Sequence, residues 1–445
     1  MSRAILVVGL GYGDEGKGSL VDHFVRKEGI RQVVRFNGGA QALHHVVDQD
    51  RVHGFSQFGS GTLAGARTVL SRFMLFEPLA FCREALTLSK IGIADPYALV
   101  TLSGSAPVIP FANIITNRIL EIQRGEGRHG SCGMGIGLTQ GDVEQFGAQA
   151  LYANDLLNPA VLRDKLYFLW QQRLETVGDI ATDETRELRT QLATYDVEEL
   201  VTFYGEFARR IRIVSDEEVL EIISSEDTLF EGAQGVLLDQ QWGFFPHVTR
   251  STTTFANAET LLDEAGVHGE RQRVGLLRAY GTRHGAGPFP TETNALRVAP
   301  CHNAANAWQG AFRTGWFDAV TARYALDIVG GVDLLCLTNL DRLVGLDGLK
   351  AAVAYQTEKH FQDKFLPNGR LAMCTPDREA SHQSTIQRTD AMLHANPTYQ
   401  PLPPIRSACP NEYFHYTDAI AELIGHDTNM ISARADHHKL YRKIV

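Results

Sequence analysis

The stretch Ile5-Leu6-Val7-Val8-Gly9-Leu10-Gly11-Tyr12-Gly13-Asp14-Glu15-Gly16-Lys17-Gly18-Ser19 decides the fold. Four consecutive apolar residues predict a buried parallel strand. The glycines of Gly9–Gly18 predict a loop, and the amphipathic spacing from about Ser19 to Lys27 predicts a helix. Strand, loop and helix in that order open an α/β domain. Gly11-x4-Gly16-Lys17 matches a phosphate loop up to its lysine, but Gly18 stands where Ser or Thr is usual. Converging backbone N–H groups, a helix N-terminus and the Lys17 charge all suit a phosphate. Asp14 and Glu15 would repel one, so Mg2+ coordination or general-base work is expected of Asp14.

Outward from this loop, Val33–Phe36, Tyr97–Leu102, Asp227–Phe230, Val274–Tyr280 and Leu334–Leu337 also read as strands, each followed by a polar or glycine-containing loop. Loops at the carboxyl ends of parallel strands are where ligands bind. The charged stretch at about 155–225 has helical spacing and reads as a helical subdomain. The stretch at about 357–406 is polar with several prolines and reads as irregular, with short elements. The expectation is one domain over 1–445: a large, mostly parallel central α/β sheet with a P-loop-like nucleotide site and helical insertions.

The chain has 445 residues and a formal net charge of −10, which argues against a general nucleic-acid binder. It has no apolar run of membrane-spanning length, and its first apolar run is too short for a signal peptide. Its six cysteines are scattered without a CxxC pair, so neither a zinc knuckle nor a disulfide framework is expected. A reduced, cytoplasmic, enzyme-sized protein is the reading.

Several blocks in order resemble the adenylosuccinate synthetase family. The first is Gly13-Asp14-Glu15-Gly16-Lys17-Gly18, and the second is Arg35-Phe36-Asn37-Gly38-Gly39 with His44. Phe230-Glu231-Gly232-Ala233-Gln234-Gly235 follows, with Leu237-Leu238-Asp239 and Phe245-Pro246-x-Val248-Thr249. Next come Thr282-Arg283-x-Gly285-Ala286-Gly287-Pro288-Phe289-Pro290-Thr291-Glu292, Arg313-Thr314-Gly315-Trp316-Phe317-Asp318 and Leu337-Thr338-Asn339-Leu340-Asp341.

The resemblance implies a two-step, Mg2+-dependent ligation. A base removes the N1 proton of a 6-oxopurine nucleotide, O6 takes the γ-phosphoryl group of GTP (or ATP), and an amine displaces the phosphate. It places Asp14 as the base and, with the Leu43 carbonyl, at Mg2+. It places His44 and Lys17 at the transferring phosphoryl group, where charge neutralisation does most of the work. Gln234 falls at the purine. Gly13, Glu15, Gly16, Gly18, Ser19, Asn339, Asp341 and Ser432 fall at the phosphoryl-donating nucleotide. Asn37, Gln41, Ser131, Cys132, Thr249 and Arg313 fall at the substrates. The family also implies a homodimer.

Departures gather in the substrate loops. The family's HNAGH is Ala40-Gln41-Ala42-Leu43-His44. Its TTGRGIG is Ser131-Cys132-Gly133-Met134-Gly135-Ile136-Gly137, with Met134 in place of an arginine that serves the aspartate carboxylate. Phe146–Ala150 lacks the cross-subunit arginine. Its GATTGRRRR becomes Asn306-Ala307-Trp308-Gln309-Gly310-Ala311-Phe312-Arg313, which keeps Arg313 alone among several cations. Asn339 stands where a lysine is usual two residues before the guanine-reading Asp341. Ser432-Ala433-Arg434-Ala435-Asp436-His437 replaces STGPDR. A carboxylate wants bidentate guanidinium partners, so the expectation is an amine other than, or in addition to, aspartate. An ordinary synthetase and a non-catalytic nucleotide-binding regulator remain the alternatives.

Overall fold

The computed structural model describes residues 2–179, 181–296, 298, 308, 310–365, 369–371, 378–433 and 440–442. The strands in chain order begin with β1 (Ala4–Gly9), β2 (Gln32–Arg35), β3 (His44–Asp48), β4 (Arg51–Phe55), β5 (Arg67–Leu70) and β6 (Val100–Ser103). They continue as β7 (Arg212–Val214), β8 (Thr228–Gly235), β9 (Arg271–Arg278), β10 (Gly281–His284), β11 (Phe312–Gly315) and β12 (Phe317–Asp318). The last are β13 (Leu334–Thr338), β14 (Lys350–Gln356), β15 (Asn396–Pro401), β16 (Met430–Ser432) and β17 (Leu440–Arg442). The helices are α1 (Lys17–Glu28), α2 (Pro78–Lys90), α3 (Phe111–Gln123), α4 (Ile136–Phe146), α5 (Pro159–Val177) and α6 (Arg186–Ala193). After them come α7 (Val197–Ala208), α8 (Asp216–Ser225), α9 (Ala256–Glu264), α10 (Ala319–Val329), α11 (Arg378–Leu393) and α12 (Pro410–Ile424).

A ten-stranded sheet runs in the order β17-β16-β13-β9-β1-β8-β2-β5-β6-β7. Its pairings are parallel except β16 with β17. β1 lies at its centre and is buried along its whole length, as expected of an apolar run covered on both faces. On one face, Val7, Val33 and Leu276 pack with Leu20, Val21 and Phe24 of α1. On the other, Leu6, Val8 and Phe230 join Leu261 of α9 and Val320 of α10. A second core gathers α2, α3, α5 and α7 around Phe76, Phe81, Leu166 and Tyr204.

The predicted elements shift in instructive ways. Tyr97–Leu99 is a 3-10 turn and only Val100–Ser103 joins the sheet, because Asp95 and Pro96 start a turn there. The helical stretch at 155–225 also contains β7, which adds an edge strand to the main sheet. The stretch at 357–406 is more regular than the sequence suggests. It holds the sixteen-residue α11 and β15. α11 carries too few apolar residues for its period to show. β15 tolerates Pro397 and Pro401 because it is the edge of a three-stranded sheet.

Candidate active site

The phosphate loop sits at the carboxyl end of the central strand, and α1 begins directly from it. Gly16 is left-handed (φ 89°) at the α1 N-terminus and supplies no side-chain cap. Glu15 is buried and organises the loop from within. Its carboxylate accepts from the Gly11 and Gly13 N–H groups at 3.0 and 2.8 Å, and from Lys17 Nζ at 2.7 Å. Lys17 Nζ also donates to the Gln234 carbonyl at 2.6 Å, joining the loop to β8. The Glu15 side chain thus faces the loop's own N–H groups.

Asp14, Gln234 and Asn339 all hold left-handed backbone, at φ 62°, 65° and 60°. Such conformations cost about 1–3 kcal/mol each and collect at functional sites. Arg278 Nη1 donates to the Asp14 carbonyl at 2.9 Å. Burial pushes the Asp14 carboxyl up, but His284, Arg278 and Lys17 outweigh it and hold the group below its ordinary value. Asp14 is therefore ionised at neutral pH and able to accept a proton.

His44 leads the β3–β4 hairpin and is buried against the sheet. Its Nδ1 lies 2.6 Å from Glu231 Oε1. Glu231 also accepts from the Ser60 N–H at 2.8 Å and the Ser60 hydroxyl at 2.5 Å. Burial raises the Glu231 carboxyl, yet Arg35, His44 and Ser60 bring it down to about 2. Burial, with the Arg35 and Lys17 charges, lowers His44 further than Glu231 raises it. Neutral His44 thus donates from Nδ1 to Glu231 and keeps a lone pair on Nε2. The hairpin lies so close to α1 that a Cβ at Gly18 would stand 2.7 Å from the His45 carbonyl oxygen. That close approach explains glycine where a phosphate loop usually has Ser or Thr.

A cavity of about 500 Å³ brings many of the expected residues together: Gly13, Asp14, Lys17, Gln41, Leu43, His44, Ser131, Cys132, Gln234 and Thr249 all border it. Gln41 is informative, because both polar atoms of its amide are buried without a partner. A buried, unsatisfied amide costs about 1–3 kcal/mol unless a ligand meets it. The Ser131 hydroxyl donates to Asn117 Oδ1 at 2.9 Å. Burial pushes the Cys132 thiol up to about 11, so it is not a nucleophile at neutral pH.

Other expected residues stand elsewhere. Asn37 spends its amide on the Ala233 N–H and on the Ala233 and Thr252 carbonyls, which ties β2 to β8. Ser19 is buried one turn into α1. Asn339 and Asp341 follow β13, and Ser432 ends the adjacent β16. These three form a second group at the carboxyl ends of neighbouring strands. Thr338 links that group to the phosphate loop by donating to the Glu15 carbonyl at 2.7 Å. Residues 306, 307, 309 and 434–437 lie outside the described residues.

Arg313 does not border the cavity. Its Nη1 donates to the Gly285 and Gly287 carbonyls at 3.0 and 2.9 Å, and its Nη2 to Glu292 at 2.5 Å. Arg283 borders the cavity, but it donates to the Ala286, Pro288 and His247 carbonyls and lies over the Tyr12 ring. Phe312 packs on His284 at 4.8 Å between ring centroids. Trp308 lies under the Arg118 guanidinium at 5.2 Å and close against Gly133. Met134 packs on Leu75, Ile109, Ile114 and Ile136.

The sequence reading passed over Glu231, Ser60, Arg278 and His284. Glu231 lay inside a quoted block, and a buried carboxylate within an apolar strand was the signal available. His284 occupied the unassigned position between Arg283 and Gly285. Ser60 and Arg278 carried no local signal.

A parallel sheet with a phosphate loop, a buried histidine–carboxylate pair and a nucleotide-sized cavity at the strand ends describes a nucleotide-dependent enzyme. Comparison with known proteins gives its class and family. The adenylosuccinate synthetase family profile matches residues 6–440, and the chain belongs to that family of C–N ligases. It is 32% identical over 390 residues to adenylosuccinate synthetase of Acaryochloris marina, covering 84% of this chain and 82% of the relative. It is 30% identical over 452 residues to that of Cyanothece sp., covering 98% and 93%.

The fold is similar to that of fully ligated adenylosuccinate synthetase from Plasmodium falciparum, with TM-score 0.77 and 23% identity, covering 100% of both chains. It is also similar to cyanophage S-2L succinoaminodeoxyadenylate synthetase bound to dGMP and dATP as an energy donor. There the TM-score is 0.59 and the identity 14%, over 99% of this chain and 95% of that one. Adenylosuccinate synthetases use GTP and Mg2+. The oxygen donors present suit Mg2+. Asp14 and Leu43 border one cavity. Among the described residues no three His, Cys, Asp or Glu side chains form a metal cage. No helix among the described residues is long and apolar enough to cross a membrane.

Proposed function

We propose that this chain phosphorylates O6 of a 6-oxopurine nucleotide with GTP (or ATP) and couples the activated carbon to an amine other than, or in addition to, aspartate. The purine N1–H bond breaks as the proton passes to Asp14. O6 bonds to the γ-phosphorus while the nucleoside diphosphate leaves. The amine nitrogen then bonds to C6 and releases a proton as phosphate departs with O6. Lys17 and His44 offset charge on the transferring group, and an arriving phosphoryl anion favours a proton on His44 Nε2. Asp14 and the Leu43 carbonyl would hold Mg2+, which would supply further charge neutralisation. Gln41 and Gln234 offer amides to the purine nucleotide, and Asp341 offers a carboxylate to a guanine.

One observation carries the amine reading. Arg313 and Arg283 are already committed to protein acceptors, Phe312 next to Arg313 packs on His284, and Trp308 lies against Arg118 and Gly133. A free dicarboxylate would have to break those contacts or stay unpaired, at a cost of several kcal/mol. The test is mass spectrometry of products from Mg2+, GTP or ATP, a panel of IMP, dIMP, GMP and dGMP, and a panel of amines. A non-aspartate adduct is expected. Efficient adenylosuccinate formation as the sole reaction would return the chain to the ordinary synthetases. Bound nucleotide without turnover would favour a regulator. The reading includes a homodimer, for which sedimentation at twice the 49.2 kDa chain mass is expected and a monomer would be contrary.

A further inference from the structure

His284 stands at the end of β10, where the β10–β11 ribbon meets the phosphate loop. Its direct register partner is Phe312, and the two rings pack 4.8 Å apart. Its Nε2 lies 3.3 Å from Asp14 Oδ2. Its Nδ1 is buried and has no partner. The side chain is only 19% exposed and borders the large cavity. Arg278 fixes the Asp14 main chain through its carbonyl. Among the described residues, His284 is the one side chain within ion-pairing distance of the Asp14 carboxylate.

A carboxylate two bonds from the backbone has several staggered orientations, and one donor can select among them. With Nε2 against a carboxylate, the ring presents an N–H to Asp14 Oδ2. Packing on Phe312, with no second hydrogen bond, then sets the ring plane.

We infer that His284 is the positioning residue for the base: its Nε2–H at Asp14 Oδ2 fixes the carboxylate rotamer that takes the purine N1 proton. The inference rests on the O6-phosphorylation reading. His284 keeps its own proton throughout, and the N1 proton goes to Asp14. Misplacing a reacting group by about 1 Å costs on the order of 10²-fold in rate, so the effect belongs in kcat.

The test is positional isotope exchange. GTP carrying 18O at the β,γ-bridge is incubated with Mg2+ and IMP, without an amine. Reversible transfer of the γ-phosphoryl group to O6 scrambles the label. His284→Leu keeps the packing on Phe312 and removes the donor. It is expected to slow exchange about 10–100-fold, with the KM for IMP within about threefold of wild type. In His284→Gln the amide nitrogen can donate where Nε2 does, and most of the rate should return. A Leu variant that exchanges at the wild-type rate overturns the inference, and so does a Gln variant as slow as Leu.

A second measurement protects against misfolded variants. Long-range 1H–15N spectra of the wild-type protein should show His284 protonated at Nε2; a ring bare at Nε2 overturns the inference. Absence of exchange in the wild type with any 6-oxopurine nucleotide would overturn the phosphorylation reading itself. The imidazole spectrum would then decide the His284–Asp14 pair alone.

Discussion

Glu231→Gln removes one charge and almost no volume from the most buried part of the site. In the wild type, the Glu231 carboxylate receives His44 Nδ1 and two groups of Ser60, with the buried Arg35 guanidinium nearby. Arg35 Nη1 has the Phe58 carbonyl, but its Nε and Nη2 have no hydrogen-bond partner. Its remaining compensation is therefore the Glu231 charge. A carboxyl that falls from 4.5 to about 2 on folding contributes about 3 kcal/mol. Because the folded value is depressed, this stability is fully present above pH 4.5 and drains away as pH falls from there toward 2. Glu231→Gln should thus lose about 3 kcal/mol at neutral pH. The gap between wild type and variant should narrow steadily below pH 4.5. Urea unfolding followed by tryptophan fluorescence at a series of pH values reads both effects. His44 also loses its anionic anchor, so kcat should drop about 10²-fold. A variant within about 0.5 kcal/mol of wild type at neutral pH would refute the reasoning, as would a gap that does not change with pH.

Asp14→Asn should abolish product formation while nucleotide affinity, read by calorimetry, stays largely intact; surviving turnover would remove Asp14 as the base. Gly18→Ala places a methyl group 2.7 Å from the His45 carbonyl oxygen. It should displace the hairpin that carries His44, costing about 1–3 kcal/mol in thermal stability and at least about tenfold in kcat. An unchanged variant would show that the hairpin yields. The double variant Trp308→Thr with Phe312→Arg restores a cation and a hydroxyl to the amine loop. Its kcat/KM for aspartate should rise about tenfold relative to that for the amine found by product analysis, the equivalent of one modest charge-assisted hydrogen bond; the ratio cancels the loss of Phe312 packing on His284, and an unchanged ratio would detach these aromatics from amine choice.

Much of the fold was legible because the central strands leave a strong mark. The Ile5–Val8 and Leu334–Leu337 runs are apolar on both faces and fall in the parallel sheet, as do Leu229 and Phe230. The outer parts were harder. The β3–β4 hairpin and β16 are short, α11 is almost wholly polar, and β15 begins and ends near prolines. Local pattern cannot reveal elements that tertiary contacts hold in place. The site shows the same division. Asp14, Lys17, His44 and Gln234 sit in motif blocks and share one cavity. Glu15 and Asn37 also sit in motif blocks, yet they serve the loop and the strands. Spacing marks a residue as part of the machine without saying whether it faces the ligand or the scaffold. Glu231 and His284 became meaningful only through partners 187 residues away in His44 and across the ribbon in Phe312.

Oxygen transfer from purine to phosphate tests the central claim most directly. IMP labelled with 18O at position 6 is turned over with Mg2+, the nucleoside triphosphate and the amine found by product analysis, and the released phosphate is weighed by mass spectrometry. Activation at O6 predicts one 18O in each phosphate and none in the purine product. Phosphate carrying only unlabelled oxygen, with the label still on the purine or lost to water, would contradict the account.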